Sequence, residues 1–371
     1  MPVGHGRLAG RRVAARAGLG ALLAAMVVTL LAVSVVRSVG TVPSWDRVLL
    51  GGDGEAFAVL ARDPTLARTE VLLGQGRNPP APVLERARRE GAYRAQRPLL
   101  VYTAWAVALG RPAGVPWALA AMALLGAALA SGAMAALLDR PRLAPLVVVL
   151  PGSLVALSWL SSEELALGLG LAGLAAWARG CRAPALGLLC LATLSRETLV
   201  IIPVALGAYD LARSGHRRWG ATLAVAPGLL LALWVVFLRL RIGAWPIGAV
   251  KGRLGLPFVG MARDLPHWSL GDWLGVVVAG AAIALAGRWR NEPLAWVIAA
   301  HGLLAVVLGP AVWDTEKDFE RVLLPLYATA SVLLVHQLSV APPARRVFSW
   351  ALPHTKAVLP DAGPTPRSQD S

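Results

Sequence analysis

The chain has 371 residues, 56% hydrophobic and only 15% charged, with a net charge of +15 and two cysteines. So little polar surface excludes an ordinary soluble domain and makes lipid the solvent for most of the protein. Cys181 and Cys190 are too few for a disulfide framework or a thiolate metal site. The positive charge sits in short loops between apolar runs, which is a topology signal rather than a nucleic-acid surface.

Ala17–Val36 follows Arg7, Arg11, Arg12 and Arg16 and carries no small-residue cleavage site. It reads as a retained first span behind a cytoplasmic N-terminus, residues 1–16. A polar stretch from Arg37 to Arg97 follows, too long for a plain connection. Pro98–Leu109 is short for a span, so it is placed as an interfacial or re-entrant helix on the outer face. Residues 37–114 thus form one outer loop with interfacial helices.

Further apolar runs are Val115–Leu138, Ala144–Leu160, Leu165–Ala178, Ala185–Leu194, Leu199–Leu211, Ala221–Leu238, Trp273–Gly287, Leu294–Val312 and Val322–Leu338. Their connections alternate in chemistry. Arg140/Arg142, Arg179/Arg182, Arg213/Arg217/Arg218, Arg288/Arg290 and Arg345/Arg346 form one set, and Glu163/Glu164, Arg196/Glu197, Lys251 to Asp272 and Asp314 to Arg321 the other. Placing the basic set in the cytoplasm satisfies the positive-inside rule almost throughout. The expectation is an all-α polytopic transmembrane bundle of about ten spans across residues 17–338, with both ends inside and a disordered tail over 339–371. Ser195-Arg196-Glu197-Thr198, between two short runs, reads as a break recessed below the outer surface.

This topology puts nearly every acidic residue on the outer face and none in the middle of a span. That favours a catalytic vestibule over a coupled transport path, which needs ionisable groups at mid-depth. His301, near a span centre, reads as a packing residue. Gly51-Gly52-Asp53-Gly54-Glu55 is the sharpest local feature. Asp53 there is either a helix cap or a carboxylate on flexible backbone, available as general base or metal ligand. Arg94 and Arg97 anchor to lipid headgroups or grip a phosphate bidentately.

With these segments in hand, the chain resembles the C-type (GT-C) superfamily of multi-spanning glycosyltransferases, which take sugars from polyprenyl-phosphate carriers. The resemblance spans residues 15 to 340 and rests on Gly52-Asp53-Gly54-Glu55 after a first span, on Tyr93-Arg94-Ala95-Gln96-Arg97-Pro98-Leu99-Leu100, and on two outer-face segments, Leu194-Ser195-Arg196-Glu197-Thr198-Leu199 and Glu320-Arg321-Val322-Leu323-Leu324-Pro325. The chain departs from it at Glu55-Ala56-Phe57, where related proteins carry Gln and aromatic residues. The resemblance implies an inverting transfer outside the plasma membrane, from a polyprenyl-phosphate donor to a glycan, lipid or protein acceptor of the cell envelope. Asp53 becomes the base or the holder of a divalent cation. Glu55, Arg94, Arg97, Glu163, Glu164, Arg196, Glu197, Glu320 and Arg321 become substrate-binding candidates. A carrier or flippase, and a catalytically inert relative, remain open beside the enzyme.

Overall fold

The computed structural model describes residues 53–67, 81–138, 141–246, 253–314 and 316–339. The expected first span Ala17–Val36, Gly51-Gly52 and the tail from residue 340 lie outside these. Every described element is helical, apart from one isolated antiparallel bridge between Leu254 and Leu308. Helix is what apolar runs in lipid must form, because each backbone group then finds its partner within its own segment.

In chain order the helices are α1 (Asp53–Arg62), α2 (Ala81–Ala95), α3 (Pro98–Val107), α4 (Val115–Leu137), α5 (Ser153–Ser158), α6 (Glu163–Ala178), α7 (Arg182–Ser195), α8 (Ile201–Tyr209), α9 (Arg217–Ile242), α10 (Val259–Asp264), α11 (Leu270–Arg288), α12 (Pro293–Val307), α13 (Pro310–Trp313) and α14 (Glu316–Ser339). Among the described residues, four helices are long and apolar enough to cross a membrane: α4 with its preceding turn, α9, α11 and α14. On α9 the residues turned outward are Val225, Leu229, Leu233, Val236 and Leu240, all exposed. Their spacing of three and four makes an apolar stripe on the outside of the fold, the reverse of a soluble helix.

The other apolar runs do not form single long helices. Over the run expected at Ala144–Leu160, a 3₁₀ segment (Pro141–Val149) leads through Pro151-Gly152 into the one-and-a-half-turn α5. Pro145 and Pro151 cannot donate to a continuous helix, and Gly152 turns left-handed at φ 82°. The run at Leu294–Val312 breaks at Leu308-Gly309, and that at Leu199–Leu211 passes from 3₁₀ to α to a π turn. α6 and α7, at 16 and 14 residues, are also short.

Arg179 of the loop after α6 donates to the Ala136 carbonyl near the end of α4 at 2.9 Å, so α4 and α6 finish side by side. Trp177, Tyr209 and Trp296 meet edge to face at the same end, with ring centroids 6.2 and 6.0 Å apart. The connections with Arg179/Arg182, Arg213/Arg217/Arg218 and Arg288/Arg290 therefore gather at one end of the bundle. Two close approaches set the depth of the opposite end. Gly126, halfway along α4, has no room for a side chain: a Cβ there would lie 2.4 Å from the Glu164 carbonyl carbon. The start of α6 is thus recessed, roughly 17 Å below the start of α4 at 1.5 Å per residue. Gly152 packs just as closely against Glu320 and Arg321, with a Cβ position 2.4 Å from the Glu320 carbonyl oxygen.

Candidate functional site

At this recessed end six chain segments bring buried charge together. Asp53 is the first residue of α1, whose other face buries Phe57, Ala58, Leu60 and Ala61. Its carboxylate accepts from Arg94, at the end of α2, through one oxygen, and from Arg321 of α14 through the other at 3.0 Å. Arg321 also reaches Glu163 at 3.5 Å and Asp318 at 2.5 Å. Pro325 lies one turn beyond it and cannot donate to the Arg321 carbonyl, so α14 is loosened where this arginine sits. Its guanidinium stacks over the Trp159 ring, 4.4 Å from the centroid.

The second layer is deeper. Arg196, in the break after α7, pairs with Glu163 at 2.5 Å, with side chains 4% and 3% exposed. Arg97 grips Glu197 bidentately, both contacts at 2.9 Å, and donates to the Tyr93 hydroxyl one helical turn earlier at 2.8 Å. Glu164, next to Glu163 but pointing elsewhere, accepts from Ser153 of α5 at 2.5 Å. Four arginines, Arg94, Arg97, Arg196 and Arg321, thus face Asp53, Glu163, Glu197 and Asp318, a nearly balanced set of charges. The balance is not perfect in hydrogen bonds. Glu163 Oε2 and Arg196 Nε are buried with no hydrogen-bond partner among the described residues, at a desolvation cost that a bound ligand or water relieves.

The electrostatics follow from the pairing. Burial pushes the Asp53 carboxyl up, but the guanidiniums of Arg94, Arg321 and Arg97 hold it well below the usual carboxylate range. Burial likewise opposes ionisation of Glu197, and Arg97 and Arg196 outweigh it, bringing that carboxyl down to about 2.

Seven of the ten residues singled out from sequence belong to this cluster: Asp53, Arg94, Arg97, Glu163, Arg196, Glu197 and Arg321; Glu164 is buried beside it and bonds to Ser153 instead. Glu55 does not; it is exposed on the outer side of α1. Glu320 turns away from Arg321 toward α11, where its carboxylate lies against Gly275. The partner of Arg196 is therefore Glu163, neither Glu320 nor its neighbour Glu197. Asp272, acidic and on the same face by sequence, is a helix cap that exchanges hydrogen bonds with Ser269 at 2.7 and 3.3 Å. His301 is buried and bonded to the Val297 carbonyl at 2.9 Å, the packing role expected of it.

Sequence reasoning missed Arg253 and the part played by Tyr93. Arg253 donates to the Tyr93 hydroxyl from the strap between α9 and α10 and lies 4.3 Å from the centroid of that ring, which Arg97 also approaches at 5.0 Å. Its backbone is fixed because its carbonyl accepts from Gly309 at 2.8 Å. Nothing local in Arg253-Leu254-Gly255-Leu256 announces a partner 160 residues away.

The arrangement does not suit a metal ion. Both Asp53 oxygens face guanidinium groups, and among the described residues no three potential ligands converge. The divalent-cation role considered for Asp53 does not fit these contacts. Compared with known protein families, characterised proteins and solved structures, the chain matches none.

Proposed function

We propose that the chain is a membrane glycosyltransferase that moves a sugar from a polyprenyl-phosphate donor to an acceptor hydroxyl outside the plasma membrane. The observation behind this reading is the recessed cluster in which one carboxylate, Asp53, is shared by Arg94 and Arg321. Guanidinium groups that already bind a carboxylate suit the phosphate of a leaving lipid, which also presents a pair of anionic oxygens to accept their N–H groups. A ten-span bundle with a large first outer loop is the topology this reading assigns.

Held by two guanidiniums, Asp53 is a poor base, because its proton affinity is far below that of a group poised near neutral pH. In the proposed reaction the donor phosphate takes over Arg94 and frees Asp53. The acceptor oxygen then attacks the anomeric carbon from the face opposite the phosphate. The bond from that carbon to the phosphate oxygen breaks, its electron pair leaves with the lipid phosphate, and the acceptor proton passes to Asp53. Arg321 and Arg196 stabilise the charge developing on the leaving group. The product is inverted at the anomeric carbon.

One observation favours a second reading. Because Glu163 and Glu164 sit beside the middle of α4, ionisable groups do lie at depth in the bundle, as in carriers. The experiment that separates the two supplies radiolabelled polyprenyl-phosphate sugars to membranes with and without the protein. The enzyme reading expects label on a non-lipid or new lipid product. Movement of intact donor across the bilayer without transfer supports the carrier and overturns the enzyme.

A further inference from the structure

The opposite end of the bundle carries a basic depression that takes no part in the proposed chemistry. α7 starts at Arg182 and α9 at Arg217, and the two starts face one another. Between them lies an open cavity of about 300 Å³ lined by Arg182, Gly215, His216, Arg217, Arg218 and Trp219. The Arg182 guanidinium lies over the Trp219 ring, 5.9 Å from its centroid. At the recessed end every clustered arginine except Arg253 has a carboxylate. Here, among the described residues, Arg182, Arg217 and Arg218 have none. Neither helix start is capped by a side chain, so first-turn N–H groups add to the positive field.

What lies above the cavity identifies the ligand. Arg218, Ala221, Val225 and Leu229 follow one another at helical spacing, so the basic rim continues into the exposed apolar stripe of α9. The step from Arg218 to the exposed Ala221, where the apolar stripe begins, is roughly 5 Å along the axis, about the depth of the headgroup zone on one side of a bilayer. A free anion has no use for that stripe, whereas a phospholipid uses both. We propose that this cavity binds the phosphate headgroup of an anionic phospholipid, with its acyl chains lying along the outward face of α9. Basic recesses between helices at a membrane surface recognise anionic headgroups in this way.

The test uses the full-length protein in nanodiscs of phosphatidylcholine with and without phosphatidylglycerol, with bound lipid counted by native mass spectrometry. The wild type should retain phosphatidylglycerol in at least tenfold preference to phosphatidylcholine. The pair Arg182→Gln/Arg218→Gln should bring that preference down to near parity, because each basic residue at an anionic surface is worth about fivefold and the two together outweigh a tenfold preference. Arg288→Gln/Arg290→Gln, at the same end but outside the cavity, should keep it. Absence of preference in the wild type, or equal loss in both pairs, overturns the proposal. Displacement of the lipid by millimolar inorganic phosphate would assign the cavity to a free anion and overturn it too. No arm reads sugar transfer, so the outcome is independent of the enzyme reading.

Discussion

At the scale of single residues, a buried charge is tolerated only with its partner. Arg196 and Glu163 are both almost fully buried and 2.5 Å apart. Removing Arg196 leaves Glu163 with only the longer contact to Arg321 at 3.5 Å, at a cost of up to about 3–5 kcal/mol. We therefore expect Arg196→Met to lower thermal stability in detergent sharply, and Arg196→Met/Glu163→Gln to recover most of the loss. If the double variant is no more stable than the single, the pair is not the unit that matters. Asp53 behaves differently, since Arg94 is partly exposed to solvent and Arg321 retains Asp318. Asp53→Asn should accumulate in the membrane while transfer falls by roughly 10²-fold or more, the scale of a positioned base. Near-normal transfer would leave Asp53 as an ion-pair and capping residue only. The pH dependence has a definite sign. Glu197 ionises at about 2 in the folded protein, below its unfolded value of about 4.3, so its contribution is complete above about 4.3 and is lost as pH falls toward 2. Melting temperatures of wild type and Glu197→Gln should converge on acidification and separate above pH 5.

At the scale of elements, the cluster depends on two places where backbone approaches backbone. Gly126 lets the start of α6 sink against α4, and that contact sets the depth of Glu163. Gly126→Val should therefore destabilise the fold by several kcal/mol or prevent accumulation, because the obstructing atoms are backbone and have nowhere to move. Gly187 of α7, with open space around its Cβ position, is the control. Gly187→Ala should be neutral or slightly stabilising in thermal unfolding, as a helix interior favours Ala by about 1 kcal/mol. These contacts also mark how far sequence carried. Hydropathy located the apolar runs, because length and composition are local properties, and loop charge set all ten site candidates on one side of the topology, seven of which the fold brings into one cluster. It did not foresee the break at Pro151-Gly152, since an apolar run reads as continuous until its prolines are placed in three dimensions. Nor did it find Arg196's partner, because pairing across 33 residues depends on how α6 is recessed.

At the scale of the whole molecule, the question is which end faces out. The structure joins the basic connections at one end and the ion-pair cluster at the other, and the positive-inside rule assigns the basic end to the cytoplasm. Labelling of introduced cysteines by an impermeant thiol reagent tests this, and the structure decides where they belong. Asp53 and Glu197 are unsuitable, because both are tied into ion pairs with side chains only 14% and 23% exposed. A cysteine there would disturb the cluster and label poorly from either side. Glu55 is exposed one turn-face away from Asp53 and takes no part in the cluster. Arg217 is exposed at the other end. Native Cys181 is exposed beside Arg182 and serves as a reporter for that end without any substitution. In intact cells Glu55→Cys should label strongly, while Cys181 and, in a background with both native cysteines replaced by Ser, Arg217→Cys should label only after permeabilisation. The reverse pattern would put the carboxylate cluster in the cytoplasm. Donor and acceptor would then have to be sought among cytoplasmic nucleotide-linked or lipid-linked sugars, and the proposed outer-face transfer would fall with the topology.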